Sequence, residues 1–462
     1  MLLRLFQLEL RLLARERAAW VLLGLFAVTL AGGLWNGARL AKRQQAVTAE
    51  LTQTSEQFMS QVRQAVAQQA VDPRAVAQGG QLAALPPAPL PWLAIGQSDL
   101  SPGHQTLSLW KLQGPADTHA ELENPSVLLT GRLDLAFALV WLFPLFLLAL
   151  TYDLLAGDRE AGTLRLACAQ GVAPGRWLAI RALTRALPVL ALAGLATLVV
   201  GAGGAGESFS RLILALAFVL AYGLFWVALA AAVNVAARTA AGSAAALGAA
   251  WVVLVLVAPT LLNVAVETLH PTPSRPELVA AARRASGDAE KRGGDVLQSF
   301  YRDHPELAPP GQQADLAAQL LAVQTEVGRA IEPVQRRFHD QLARQQATVG
   351  RWRLASPAIA AYETLTDLAG TGYWRNRAFR EQVEEFKGTV SGFFGPKIHR
   401  RESLTQADVE RLPRFNFREE PAAAWRGRVG LSLAGVLAAT ALLGGWVWLR
   451  LRPSPLGRLA AS

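Results

Sequence analysis

Six stretches of the chain are apolar almost without interruption: 18–35, 133–151, 186–201, 212–237, 240–266 and 428–449. Charged residues touch them only at their edges, as at Asp134. Each approaches the roughly 20 residues that an α-helix needs to cross a bilayer, and the pattern predicts six transmembrane helices. Two helical periodicities accompany them. In 1–17, Arg4, Gln7, Arg11 and Arg15 share one face and leucines with Phe6 cover most of the rest. That predicts an amphipathic helix lying along the membrane interface. After the first run, Leu40, Val47, Leu51, Phe58, Val62 and Val66 trace one face of a helix through a Gln-rich stretch. The first span should therefore run on as a stalk of roughly 30 residues, about 45 Å long.

Charge orients this pattern. Arg159, Arg165, Arg176, Arg181 and Arg185 crowd the short segment 152–185 between the second and third runs. Basic residues in short loops stay on the cytosolic side. The same rule places both termini inside, with Arg450, Arg452 and Arg458 in the tail 450–462. The long segments 36–132 and 267–427 then lie outside. Within 152–185, Gly162 should break a helix, Thr163 cap a new turn, Gly171 end it, and Pro174 open the next helix. Alanine, glycine and serine fill one face of the fourth and fifth runs, suited to close helix packing in lipid.

Of the outer segments, 36–132 ends its stalk at Gly79-Gly80 and continues through the proline-rich stretch Leu85 to Trp92, expected to pack on the second insertion. In 267–427, helices are expected over Pro276 to Leu307, Asp315 to Gly350 and Asn376 to Ser391. Breaks are expected at Gly293-Gly294, Pro305, Pro309-Pro310-Gly311 and Pro357. The middle helix carries an apolar stripe from Leu316 to Phe338, interrupted by Pro333, where a kink or break is expected. This stripe is the expected complement of the stalk, so both insertions would build one outer domain.

The chemistry that a catalyst would need is missing. The sequence contains no G-x-x-x-x-G-K-[ST] loop to cradle a nucleotide phosphate and no H-E-x-x-H. The six histidines share no metal-ligand spacing. Ser356 and His304 lack the G-x-S-x-G elbow of a hydrolase, and serve capping and turns as well. With 52% hydrophobic residues, the net charge of +10 is better explained by membrane topology than by nucleic acid. The single cysteine, Cys168, leaves the outer segments without disulfides.

Asp158-Arg159-Glu160-Ala161-Gly162-Thr163-Leu164, followed by Leu166, resembles the E-R-x-x-G-T-L segment of type-2 ABC transporter permeases. Asn124-Pro125, Gly131, the run Leu133 to Phe137, Pro144-Leu145, Asp303 to Glu306, Ser356-Pro357-Ala358 and Ala369-Gly370-Thr371 are similar to the subgroup with large extracytosolic insertions. Asp158 stands where relatives carry glutamate, Gly171 where many have proline, and Arg181 where many have lysine. The resemblance implies an all-α polytopic membrane protein with six transmembrane helices, an N-terminal interface helix, a cytosolic coupling helix and a mainly helical periplasmic domain. It implies a bacterial inner-membrane exporter subunit that pairs with an ABC ATP-binding subunit and a second permease copy or paralogue. This chain would hold no cofactor; ATP and Mg would sit on the partner. Coupling residues would be Asp158, Arg159, Glu160, Gly162, Thr163, Leu164, Leu166 and Glu9. Glu9 interrupts the apolar face of 1–17, where it would either meet a cation on the ATPase or permease core, or tip into the headgroups. Glu160 would face a basic residue of the ATPase, and Leu164 would be the apolar plug. Two alternatives remain: ATP-driven mechanotransmission to a periplasmic partner without transport, and a non-transport scaffold or sensor.

Overall fold

The computed structural model describes residues 2–99, 103–108, 133–170, 173–204, 208–271, 275–308 and 316–452. The expectations at Asn124-Pro125, Gly131, Gly171, Pro309-Pro310-Gly311 and Arg458 lie outside the described residues. Helix α1 (Leu2–Arg15) meets α2 (Arg17–Gln68) at an extended Glu16. A short helix α3 (Pro73–Gly79) and a two-stranded antiparallel ribbon, β1 (Gln81–Ala84) with β2 (His104–Leu107), complete the described part of the first insertion. Among the described residues this ribbon is the one sheet, so the fold is all-α and polytopic.

Six helices are long and apolar enough to cross a membrane. The first is α2. The second, α4 (135–151), joins Leu135–Phe137, a π turn Ala138–Leu142 and Phe143–Thr151. Two short helices follow, α5 (Ala156–Glu160) and α6 (Thr163–Ala169). Then come α7 (Pro174–Val199), α8 (Ser208–Ala236) and α9 (Ala240–Leu269), which holds a second π turn at Val252–Val257. The long segment between the fifth and sixth apolar helices contributes α10 (Arg275–Lys291), α11 (Gly293–Asp303), α12 (Leu316–Trp352), α13 (Pro357–Ala369), α14 (Tyr373–Arg400) and α15 (Gln406–Glu410). The last apolar helix is α16 (Ala422–Leu451).

One difference from the expected boundaries matters. The helix expected to open at Pro174 and the third apolar run, expected from 186, are a single helix, so Arg176, Arg181 and Arg185 ride on the third apolar helix itself. As expected, α2 continues unbroken through the stalk. Its inner part packs at backbone distance: a Cβ on Gly33 would lie 2.9 Å from the Asp134 backbone, and one on Gly37 2.9 Å from the Trp92 carbonyl. Helix α4 sits at the centre, with Leu139, Val140, Phe143 and Leu147 buried among α2, α7, α8 and α13. The small residues of α9 do not pack inside the chain: from 240 to 249 only Ser243 and Leu247 are buried.

The two insertions share one core. Val62, Val76, Ala83 and Leu107 of the first meet Phe379, Val383, Phe386, Val390 and Ile398 of α14, with Leu404, Val409 and Leu412. The stalk's main partner is thus α14 and the chain after it; from α12, the expected complement, Leu321 is the buried residue that joins this core. Helices α10 and α11 cover the middle of α12 instead: Val323 and Val327 pack on Ala289, and Ala318 and Ala322 on Leu297, while Leu316 and Leu320 stay exposed. Both stripes were equally apolar, and the neighbouring hairpin of α10–α11 reaches α12 first in sequence. Helix α12 also passes through Pro333 without a break. The proline-rich stretch packs on the second insertion as expected, the Leu90 amide donating to the Ala369 carbonyl and Thr371 to the Ala94 carbonyl.

Candidate functional site: the elbow between the second and third apolar helices

Helix α4 ends at Thr151, and the chain turns through buried Leu154 and Leu155 before α5 begins. A turn buried beneath apolar helices exposes backbone groups that water cannot reach. Asn234, fully buried near the end of α8, satisfies them. Its Oδ1 accepts from the amides of Leu154 (2.9 Å) and Leu155 (3.2 Å), and its Nδ2 donates to the carbonyls of Thr151 (3.1 Å) and Ala230 (2.9 Å). One side chain thereby fixes where the elbow leaves the second span.

The next residues face the hairpin between α8 and α9. Arg159 donates to the carbonyls of Ala237 and Val235, the latter at 3.3 Å, at the C-terminal end of α8. The Glu160 carboxylate accepts from the Ala240 amide at 3.1 Å, at the N-terminus of α9. Free carbonyls attract cations and free amides attract anions at these two ends. Glu160 was expected to face a cation of the ATPase; its described bond is to this chain. It keeps an exposed side.

Asp158 and Glu9 share a cation. Arg181, on α7, donates to Asp158 and, at 3.1 Å, to the Leu154 carbonyl, while its Nε lies 3.3 Å from Glu9 Oε1. Asp158 also accepts from Trp177 Nε1 at 2.9 Å and from the Thr163 hydroxyl at 3.1 Å. Glu9 is 5% exposed, so of the readings open for it the permease core is the one realised. A second pair, Arg185 with Glu16 at 4.0 Å, lies at the junction of α1 and α2.

At Gly162 the chain takes φ +74°, left-handed backbone that a side chain rarely adopts, and no atom would meet a Cβ within 4 Å. Glycine is required by conformation there, not by space. Thr163 is the first helical residue rather than the cap, because its hydroxyl is engaged by Asp158. Leu164 is half-buried and turned to the core, whereas Leu166 is 64% exposed. The protruding apolar side chain of α6 is therefore Leu166, flanked by exposed Arg165 and Cys168.

The structure brings the predicted residues into one cluster tied to α1, α7, α8 and α9. Asn234 and the role of Arg181 escaped the sequence reading. A lone asparagine in an Ala/Val/Leu helix was the available signal, since a polar side chain inside a span needs a partner.

Over residues 3–325 the sequence matches the family described as ABC-2 family transporter protein. Residues 275–418 match a domain of unknown function (DUF3526). No curated protein and no solved structure matches the chain.

Proposed function

The chain belongs to the ABC-2 family of transporter proteins, and from that premise we propose that it is the permease subunit of a bacterial ABC exporter. ATP and Mg bind a separate ATP-binding subunit, which docks on the elbow. Two permease halves, identical or paralogous, work with two such subunits in the inner membrane, both termini cytosolic and both insertions periplasmic. One observation carries the reading. The elbow presents Arg165, Leu166 and Cys168 outward while Asn234, Arg159, Asp158 and Glu160 lock its other side to the spans. A rigid protrusion of this kind transmits a push; a flexible loop would absorb it.

The test is copurification of the tagged chain with a P-loop ATPase from native membranes. Leu166→Asp combined with Arg165→Glu should abolish it while leaving the permease inserted, since neither side chain supports the core. Retention of the ATPase by that variant would place docking elsewhere. Mechanotransmission without transport is the second reading, favoured by the direct bonding of outer residues to spans, as at Arg428 with Asp367 (2.8 Å). A route between permease halves that stays closed in every nucleotide state would select it.

A further inference from the structure

Both π turns are followed by a proline, Pro144 in α4 and Pro259 in α9. Proline has no amide hydrogen and withdraws a bond from the preceding turn. In α9 the Ala258 amide reaches back five residues to the Val253 carbonyl. The next donor in that register would be residue 259, so the Leu254 carbonyl has no amide for it in its own helix. Its donor comes from the outer segment: Ser356 Oγ lies 2.6 Å away. In α4 two carbonyls of the π turn also take side-chain donors: Tyr222 donates to Val140 at 2.9 Å, and Trp251 of α9 donates to Trp141 at 3.2 Å.

Ser356 is fully buried, and each of its hydrogen-bonding positions is used. The hydroxyl accepts from the amides of Ala358 (3.2 Å) and Ile359 (3.4 Å), capping α13, and gives its single proton to Leu254. Helix α13 is the root of the outer domain in the bundle. Its C-terminal carbonyls at Asp367 and Leu368 accept from Arg211, and Asp367 pairs with Arg428. At its inner end, α9 is held by Glu160 on the Ala240 amide. Between these ends few of its residues are buried: Ser243, Leu247, Val255 and Val266. The fifth apolar helix is thus gripped at the elbow, at the π turn and at its C-terminal cap, where Gln345 donates to the His270 carbonyl at 2.7 Å and the His270 ring lies 3.1 Å from the Thr348 hydroxyl.

We propose that Ser356 is a positioning residue that seats the outer domain on the fifth apolar helix, so that displacement of the elbow at Glu160 reaches α13 through α9. The direction of the signal rests on the permease reading, but the linkage itself belongs to this chain alone. A physical path needs measured coupling between its ends, which a double-mutant cycle supplies.

The experiment is hydrogen exchange on the full chain in lipid nanodiscs without any ATPase, so that its outcome is independent of whether an ATPase docks. Glu160→Ala should raise exchange across Pro357–Ala369 several-fold. In a Ser356→Ala background, Glu160→Ala should add nothing further there, and Ser356→Thr, which keeps the hydroxyl, should restore the response. Should Ser356→Ala fail to assemble, Pro259→Ala replaces it. That change returns the missing amide to α9, and the response of α13 to Glu160→Ala should again disappear. A Glu160→Ala effect of equal size with and without Ser356 would overturn the assignment of Ser356. No effect on α13 in the native background would overturn the role of α9.

Discussion

Replacing Asn234 by leucine removes its four hydrogen bonds of 3.2 Å or less, with a fifth from the Ala156 amide at 3.5 Å, at nearly constant volume, and the cost can be worked from the geometry. Two amides, at Leu154 and Leu155, and the Thr151 carbonyl would be left buried without partners. Each orphaned group costs about 1–3 kcal/mol. Side-chain hydrogen bonds in membrane proteins average nearer ~0.6 kcal/mol each, because the unfolded chain in lipid also finds partners. The turn is held by one side chain against groups at 0% exposure, so local relaxation has little room, and the two routes meet at a loss of about 3 kcal/mol. Reversible unfolding of the nanodisc-purified chain in SDS, followed by tryptophan fluorescence, measures it. A loss below about 0.5 kcal/mol for Asn234→Leu would refute the account, since that is the size of an uninvolved surface change.

Two further outcomes are expected. Gly162→Ala should destabilise the elbow by about 1 kcal/mol through backbone conformation alone, read as faster tryptic cleavage at Arg159 and Arg165; Gly162→Pro, with φ locked near about −65°, should cleave faster still. Beside the core shared by the two insertions, burial opposes ionisation of Asp408, but Lys397 at 2.8 Å and the Thr405 donors outweigh it and hold the carboxyl at about 2, below its usual 3.8. A lowered folded pKa means stability present above about pH 4 and lost as pH falls towards 2. Asp408→Asn should therefore cost about 1–2 kcal/mol at neutral pH and flatten the acid limb of a pH–stability curve.

Periodicity made the spans legible, because a bilayer demands length and apolarity and little else. The amphipathic start, the unbroken stalk and the break at Gly162 were readable for the same reason: each is a local property of the backbone or of one helix face. What failed was pairing. The stripe from Leu40 to Val66 says that a partner exists, and nothing in its leucines and valines distinguishes α14 from α12. Helix α13 went unread because its alanine-rich face, Ala358, Ala360 and Ala361, packs into the bundle without the alternation that marks a surface helix. Glu9 announced a buried carboxylate, but its cation, Arg181, lies far along the chain, and nothing local in either segment names the other as its partner. The π turns left only their prolines as traces.

The pair Arg159-Glu160 places opposite charges side by side against opposite ends of two helices, and this has a consequence for how the segment tolerates change. Exchanging the two residues preserves composition, net charge and helix propensity. Yet it would set a carboxylate against the carbonyls of Val235 and Ala237, and a guanidinium against the Ala240 amide. The dipeptide is read by polarity, like a plug that fits its socket in one orientation. A substitution score that counts only charge would call the exchange neutral, whereas the α8–α9 hairpin would meet it as two repulsions at once.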